Sequence, residues 1–313
     1  MPLVKVYDAA TVLRHLNGIV NIYKPANMSL KKVKEAVLHN ITRDLNEMQV
    51  REPRKIEKEI PLLEPGGAAN PVLRKIETLD LSDHLLSTGP RYIMNDIRCV
   101  LVAGLGYHTS GVLLFGMNRG KNKASKIQKN RPIRTYHVSG RLGTATENHF
   151  PDSLTTVKSN YKHVHPERVS ALAASMQASH QRKMFELCGV DIQSQAAYEI
   201  ACKGAVRPAD NSQPVIYGIK LIEFNRPDFM LEVHAINENE NYLATLVHEM
   251  GIELRSVAHC TGIRCIRHGQ FSADTALLRH GWTLAGVMKS LREQKKVLEE
   301  HPYLLNQKIQ LHN

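Results

Sequence analysis

No stretch of the 313 residues approaches the roughly 20 consecutive apolar residues of a membrane-spanning helix, so a bilayer can be touched only at its surface. Cysteines are few. The five, at positions 99, 188, 202, 260 and 265, form no even disulfide framework, and the one close pair, Cys260 and Cys265, lacks the second ligand pair of a zinc site. Buried thiols in a reducing compartment fit that pattern. The zinc-protease signature begins at His248-Glu249 and fails at Ile252, where its second histidine belongs. There is no G-x-x-x-x-G-K-[ST]. The apolar run Val100 to Ala103 leads into Gly104-Leu-Gly106, the outline of a dinucleotide-binding turn, but the third glycine falls at Thr109. Beyond it, Val112 to Phe115 reads as a strand, where a pyrophosphate needs a helix N-terminus. Locally, a glycine turn between two buried strands is favoured, and a nicotinamide-dinucleotide site is the lesser alternative. No repeat of 20 to 50 residues is visible. The N-terminal Lys5, Asp8, Arg14 and His15 are too sparse to make a mitochondrial presequence by themselves.

Acids are also scarce. Lys and Arg number 41 against 30 Asp and Glu, a net charge of +11 with the histidines neutral. Such an excess favours polyanionic partners, nucleic acid first and anionic membrane second, because neutralised phosphates release condensed counterions. The excess is concentrated. Arg119, Lys121, Lys123, Lys126, Lys129, Arg131 and Arg134 follow one another with no acid between them. The lack of interleaved Glu argues against intrahelical pairing and for a surface that tracks phosphates.

The order of elements favours an α+β architecture. Gly18 to Lys24 reads as a strand stopped by Pro25, and Ser29 caps a helix with Val33, Val37, Ile41 and Leu45 at helical spacing. From about 47 to 91 the sequence turns to Arg-Glu-Pro-Arg-Lys, Glu-Pro-Gly-Gly and Ser-Thr-Gly-Pro, a long and partly disordered surface insertion. Tyr136 and Val138 alternate with polar residues as in a half-buried strand, and a loop runs on from Leu142 to Asn148. Helices are predicted from Pro166 to Cys188, from Gln193 to Lys203 with Gly204 ending it, from Tyr242 to Glu253, and from Thr283 to Glu300 before Pro302. Strands fall at 215–224, 229–236 and 257–267, without regular βαβ alternation.

Several blocks share one resemblance. Ser110-Gly111-Val112-Leu113-Leu114-Phe115-Gly116 is similar to the A-[ST]-G-V-L-x-x-G run of TruB-type pseudouridine synthases. Lys24-Pro25-Ala26-Asn27-Met28-Ser29 resembles the family's K-P-x-G-x-[ST], with Asn27 for glycine, a residue that tolerates positive φ. Arg134-Thr135-Tyr136 with Gly140 to Thr146 resembles its K-x-Y…LGxxT block, and Ala197 to Gly204 its L-Y-E-x-A-R-x-G helix. Tyr242 to Gly251 resembles Y-I-R-x-L…D-x-G, and Ile263-Arg264 with Gly269-Gln270-Phe271 resembles L-R-R…G-x-F. The likeness covers most of residues 17 to 280. Leu101 stands for the histidine before the nucleophile and Asp191 for the lysine of S-A-x-K. With the insertion after 47, these departures look like the animal mitochondrial branch.

The resemblance implies a pseudouridine synthase fold, α+β with a mixed, mostly antiparallel sheet flanked by helices. It implies one domain over 1–280 carrying the insertion at about 47–91, a C-terminal helix and tail over 281–313, and no PUA domain. It implies no cofactor, and RNA as the partner: a tRNA or mitochondrial mRNA or rRNA stem-loop, within a possible mitochondrial RNA-processing assembly. Tyr136 and Ile263 would hold the base. Lys24, Arg119, Lys121, Lys123, Lys126, Lys129, Arg131, Arg134 and Arg264 would meet the RNA. The catalytic pair is missing, since the nucleophilic aspartate falls at Gly106 and its partner arginine at Ala244, and glycine offers no side chain for covalent chemistry. The expectation is an RNA-binding family member with impaired chemistry. The alternative is an active synthase using another carboxylate, with Asp96 and Asp191 as candidates.

Overall fold

The computed structural model of the chain describes residues 8–48, 55–62, 72–80, 87, 89–202 and 213–306. It opens with a short helix that the sequence pattern does not announce, α1 (Ala9–His15), capped by Asp8 through the amide of Ala10. Strand β1 (Gly18–Lys24) and helix α2 (Leu30–Glu47) come next as expected, with Ser29 accepting from the Lys32 amide and Val33, Val37, Ile41 and Leu45 buried. Asn27, at φ 58, makes the turn between them.

The region read as an insertion carries order that its composition hides. β2 (Lys55–Leu62) and β3 (Val72–Leu79) pair antiparallel in a sheet of their own. Ion pairs Lys55–Glu77 and Lys75–Glu57 cross it, and Ile56 and Ile76 stay exposed. With cross-strand charges where an apolar face would be, the period-two signal of a half-buried strand is absent. The rest of 47–91 lies largely outside the described residues, as do Lys5, Gly204 and the tail beyond 306.

The remaining elements run β4 (Cys99–Leu101), β5 (Thr109–Met117), α3 (Lys121–Asn130), β6 (Arg134–Leu142), β7 (Thr144–Thr146), β8 (Thr155–Lys158), α4 (Pro166–Leu187) and α5 (Gln195–Cys202). They continue as β9 (Val215–Asn225), β10 (Asp228–Ile236), α6 (Glu240–Glu253), β11 (Ala258–His268), β12 (Phe271–Ser272), α7 (Leu284–Glu300) and α8 (Tyr303–Asn306). Residues 142–148, read as a loop, supply β7, which pairs with β8.

Eight of the described strands form the main sheet, in the order β1-β5-β11-β6-β10-β9, with β4 on β5 and β12 on β11. β5 and β11 run parallel and every other named pair is antiparallel, so the sheet is mixed and mostly antiparallel. Gly111 explains why its position in the motif is a glycine: a Cβ there would sit 2.0 Å from the carbonyl oxygen of Cys265 on the parallel neighbour.

Helices α3, α4, α6 and α7 pack on the strands β5, β9, β11 and β1 respectively. One large core results, with a smaller satellite cluster of Met184, Ile200, Val215 and Ile236 where α4 and α5 meet the ends of β9 and β10. The last long helix belongs to the large core: Leu284, Val287, Leu291 and Leu298 are buried, and the Ser290 hydroxyl accepts from the amide of Asn21 in β1. Among the described residues no helix is long and apolar enough to cross a membrane.

Candidate nucleobase site

β6 presents its residues alternately to the core and to the open face of the sheet, and Tyr136 points inward, opposite Cys265 of β11 and Val233 of β10. The ring is buried, and its hydroxyl donates to Glu238 Oε1 at 2.6 Å. Burial drives the phenol pKa well above its ordinary value, with Arg134 opposing part of the rise. Tyr136 is therefore a neutral hydroxyl at physiological pH.

Arg134 holds this corner together. Its Nε lies 2.5 Å from the same Glu238 oxygen, and its two terminal nitrogens donate to the carbonyls of Gly104 at 3.0 Å and Glu238 at 3.2 Å. One guanidinium thus ties the loop before β5 to the turn before α6. With its fork spent on the protein and its side chain only 12% exposed, Arg134 organises the site and does not reach RNA phosphates as the sequence suggested.

Lys24 is redirected in the same way. It is fully buried, and its ammonium donates to the carbonyls of Pro25, Tyr107 and Thr109 at 3.1, 3.1 and 2.7 Å. Burial pushes its pKa down to about 8, and the negative charge of Glu240 offsets part of the fall. All three donors are occupied, so Lys24 fixes the loop from inside.

That loop carries Gly106, and the space beside it is taken. A Cβ built on Gly106 would stand 2.1 Å from Glu240 Oε2, 2.2 Å from its Cδ and 2.4 Å from its Cβ. Glu240 opens α6, where an acid complements the helix dipole. Its Oε2 accepts from the Thr109 amide and from the Thr109 hydroxyl, each at 2.7 Å. A carboxylate therefore stands where an aspartate at 106 would project, delivered from the opposite wall. Ala244, one turn along the same helix, is fully buried and carries no charge.

Asp96 and Asp191, the alternative carboxylates that the sequence offers, are not among the residues lining this site. Asp96 accepts from the Ile93 amide in a short turn before β4, and Asp191 from the Gln193 amide between α4 and α5. The acids that converge on Gly106 and Tyr136 are Glu238 and Glu240, within the Asn237-Glu-Asn-Glu-Asn241 run read as a polar turn. Their signal was faint: Asn239 caps α6 through the Tyr242 amide, so the helix starts two residues earlier than its apolar pattern shows.

The cavity enclosed by these groups has a volume of about 450 Å³, with Gly106, Thr109, Tyr136, Glu238 and Glu240 among its walls. A second cavity, of about 530 Å³, lies across the loop and takes Tyr107, Ser110, His137, Ile263 and Arg264. Ile263 and Tyr136 were expected to flank one base, and they serve different cavities. Strand alternation puts Ser110, His137 and Arg264 on the face opposite Thr109 and Tyr136, whereas Ile263, paired with Thr109 and Val138, is buried on the Tyr136 face and borders the second cavity from there. Arg264 is exposed, with its guanidinium 5.6 Å from the Tyr23 ring centroid, and His108 stacks on Phe150 at 4.4 Å.

The basic run divides likewise. Arg119, Lys121, Lys123, Lys126 and Lys129 are exposed on α3 and the turn before it, with Ala124 and Ile127 buried beneath. Most of the run without acids is a helix, stabilised by its buried face and not by intrahelical ion pairs. Arg131 is half-buried in a left-handed conformation that ends α3. Beyond it, Arg131 and Arg134 share a smaller cavity with Ala103 and His268, which links the basic helix to the wall of the Tyr136 site. The dinucleotide reading of Gly104-Leu-Gly106 loses its support, because the loop enters strand β5 and no helix succeeds it.

A mixed, mostly antiparallel sheet flanked by helices, with a glycine loop bounding a cavity and a buried tyrosine in its wall, fits a protein of the pseudouridine-synthase class. Comparison narrows the class. The profile described as TruB family pseudouridylate synthase, N-terminal domain, matches residues 103–240. The mitochondrial pseudouridylate synthase TRUB2 of Xenopus tropicalis is 34% identical over 286 residues, covering 91% of this chain and 87% of that protein. Its Homo sapiens counterpart is 30% identical, over 90% and 84% respectively. An archaeal box H/ACA Nop10–Cbf5 complex is similar at TM-score 0.46 and 14% identity, over 94% of this chain and 60% of that one, too remote to add to the assignment. The chain belongs to the TruB family, in its mitochondrial branch.

Proposed function

We propose that the chain is a mitochondrial RNA-binding protein that receives a uridine everted from a stem-loop and does not isomerise it by the route its relatives' name denotes. One observation carries the reading: Gly106 and Ala244 have together lost the two charges of the inferred catalytic pair, while the tyrosine-based cavity remains. Removing a buried ion pair as a unit is nearly neutral, whereas removing one member is costly. The RNA would be a tRNA, mitochondrial mRNA or rRNA stem-loop, held by backbone phosphates and base stacking. A role as RNA chaperone, or as partner in a mitochondrial RNA-processing assembly, is consistent with binding without turnover. The phosphate contacts fall to Arg119, Lys121, Lys123, Lys126 and Lys129, with Arg264 on the other side of the loop. The test is a primer-stop or mass assay for pseudouridine on a tRNA stem-loop, beside a binding titration. Binding with no product is expected, and multiple turnovers would overturn the reading.

A second reading has Glu240 in its favour. Its Oε2 occupies the space an aspartate would fill, so an active synthase with a displaced carboxylate is chemically conceivable. Catalytic placement errors near 1 Å cost on the order of 100-fold, and two hydrogen bonds from Thr109 hold this oxygen back. Product formed by the wild type and abolished in Glu240→Gln would select this reading.

A further inference from the structure

We infer that the second cavity, across the loop from Gly106, is a stacking site for the unpaired nucleobase next to the everted uridine, with Tyr107 as its exposed platform. The inference rests on the RNA-binding reading above and extends it to a second nucleotide of the same strand. Tyr107 is 52% exposed, on a loop whose backbone is closely held. Its carbonyl accepts from the Asn27 amide at 2.9 Å and from Lys24 Nζ at 3.1 Å.

A lone exposed ring would mean little. This one is braced. It stands edge-on to His108, with ring centroids 5.1 Å apart and planes at 88°, and His108 in turn stacks at 4.4 Å on the buried ring of Phe150. Asp152 Oδ2 lies 3.6 Å from His108 Nε2, and the Phe150 amide donates to Asn148 Oδ1 at 2.8 Å. Rings from two separate loops thus form one shelf in the cavity wall. Tyr107, His108 and Phe150 all lie outside the blocks that carry the family resemblance.

The same cavity supplies a partner for phosphate. Arg264 is exposed, its guanidinium 5.6 Å from the Tyr23 ring centroid, and no carboxylate or carbonyl takes its side-chain donors among the described residues. Its fork is open to an anion, as that of Arg134 is not. Unpaired bases are read by stacking on aromatic faces, and a nucleotide uses both the shelf and the guanidinium in a space of about 530 Å³. A purely apolar ligand would leave Arg264 unmatched. Loop geometry makes the occupant a neighbour of the uridine: Gly106 walls the first cavity and Tyr107 the second. Their Cα atoms are one peptide, about 3.8 Å, apart, so a strand that sets one base beside Gly106 meets Tyr107 with the next.

The test titrates the full chain by fluorescence anisotropy against a hairpin RNA with uridine in its loop, and against derivatives abasic on the 5′ or the 3′ side of that uridine. Each is measured with the wild type, Tyr107→Ala and Tyr107→Phe. One base stacked on one ring contributes on the order of tenfold in affinity, so the wild type should bind one abasic derivative about tenfold more weakly than the intact hairpin. Tyr107→Ala should lose a similar factor on the intact hairpin and nothing further on that derivative, because ring and base act as one pair. Tyr107→Phe keeps the ring and should behave as the wild type. If Tyr107→Ala binds the intact hairpin as tightly as the wild type, or remains as sensitive to the missing base, the stacking site is overturned and RNA binding stands. Failure of the wild type to bind any hairpin overturns both. Should Tyr107→Ala not melt cooperatively, the wild type decides alone, and equal binding of the intact and both abasic hairpins overturns the site.

Discussion

The wall around Tyr136 and the outer face of α3 both carry several ionisable side chains, and their surroundings give those charges opposite physical meaning. Around the Tyr136 cavity, Glu238 and Lys24 are buried and Arg134 is nearly so, and the nitrogens of both cations are spent on protein acceptors. On α3, Lys121, Lys123, Lys126 and Lys129 stand in water, with no acid in the run of chain that carries them. A buried charge is nearly irreplaceable once its partner depends on it, while an exposed one is individually cheap and useful only in number. The cavity is therefore the place where single substitutions should be decisive, and the helix the place where only sums count.

The sharpest challenge to that contrast is Arg134→Ala. It strands the buried Glu238 carboxylate and two carbonyls, and a loss of about 3–5 kcal/mol is expected in urea unfolding. A loss below about 1 kcal/mol would place Arg134 with the exposed lysines.

Acid should weaken the same corner through His268. Burial, with Arg134 adding repulsion, pushes its pKa down to about 3, so the folded state keeps the ring neutral while the unfolded chain protonates near 6.5. Between those values the unfolded state binds more protons, so stability is full above pH 6.5 and falls as pH is lowered toward 3. Each pH unit in that window removes up to about 1.4 kcal/mol. Replacing His268 by Gln should flatten the pH dependence of unfolding there by up to one proton, measured by denaturant midpoints at successive pH values.

Gly106→Asp tests how fully Glu240 has claimed the site. Because the new Cβ would fall within 2.4 Å of three Glu240 atoms, the single change should cost about 1–3 kcal/mol through overpacking and should yield no pseudouridine. Glu240→Ala in the same chain should recover most of that stability. If Gly106→Asp alone is neutral in thermal melting, the Glu240 carboxylate does not fill the space.

What the sequence disclosed and what it hid divide along the same line. Apolar periodicity revealed β1, α2, α4, β9 to β11 and α7, because each buries one face at a regular repeat. The β2–β3 hairpin and the start of α6 are built from charges and Asn, and they carry no such repeat. Motif spacing located Gly106 and Tyr136, both in the wall of the first cavity, and Ala244, buried on α6 one turn beyond Glu240. It could not locate Glu240, more than 130 residues further along, because the contact depends on the turn into α6 and not on local pattern. Nor could it show which way a cation points: Lys24 and Lys129 look alike as letters, and only folding buries the first.

The smallest effect on stability should accompany the largest effect on salt dependence. Replacing Lys121, Lys123, Lys126 and Lys129 together by Ala removes four exposed charges from a helix surface, and Ala is the better helix former. Stability should change by less than about 0.5 kcal/mol. Affinity for a stem-loop should fall, and the slope of log K against log salt should shrink by roughly 0.7 to 0.9 for each lysine that had neutralised a phosphate. A double-log titration from low to moderate salt measures this directly. The dependence on the base beside the uridine should survive the fourfold change, because phosphate contacts position the RNA and carry no base identity. An unchanged salt slope would remove α3 from the RNA path and leave the open-face cations, Arg264 foremost, to carry it.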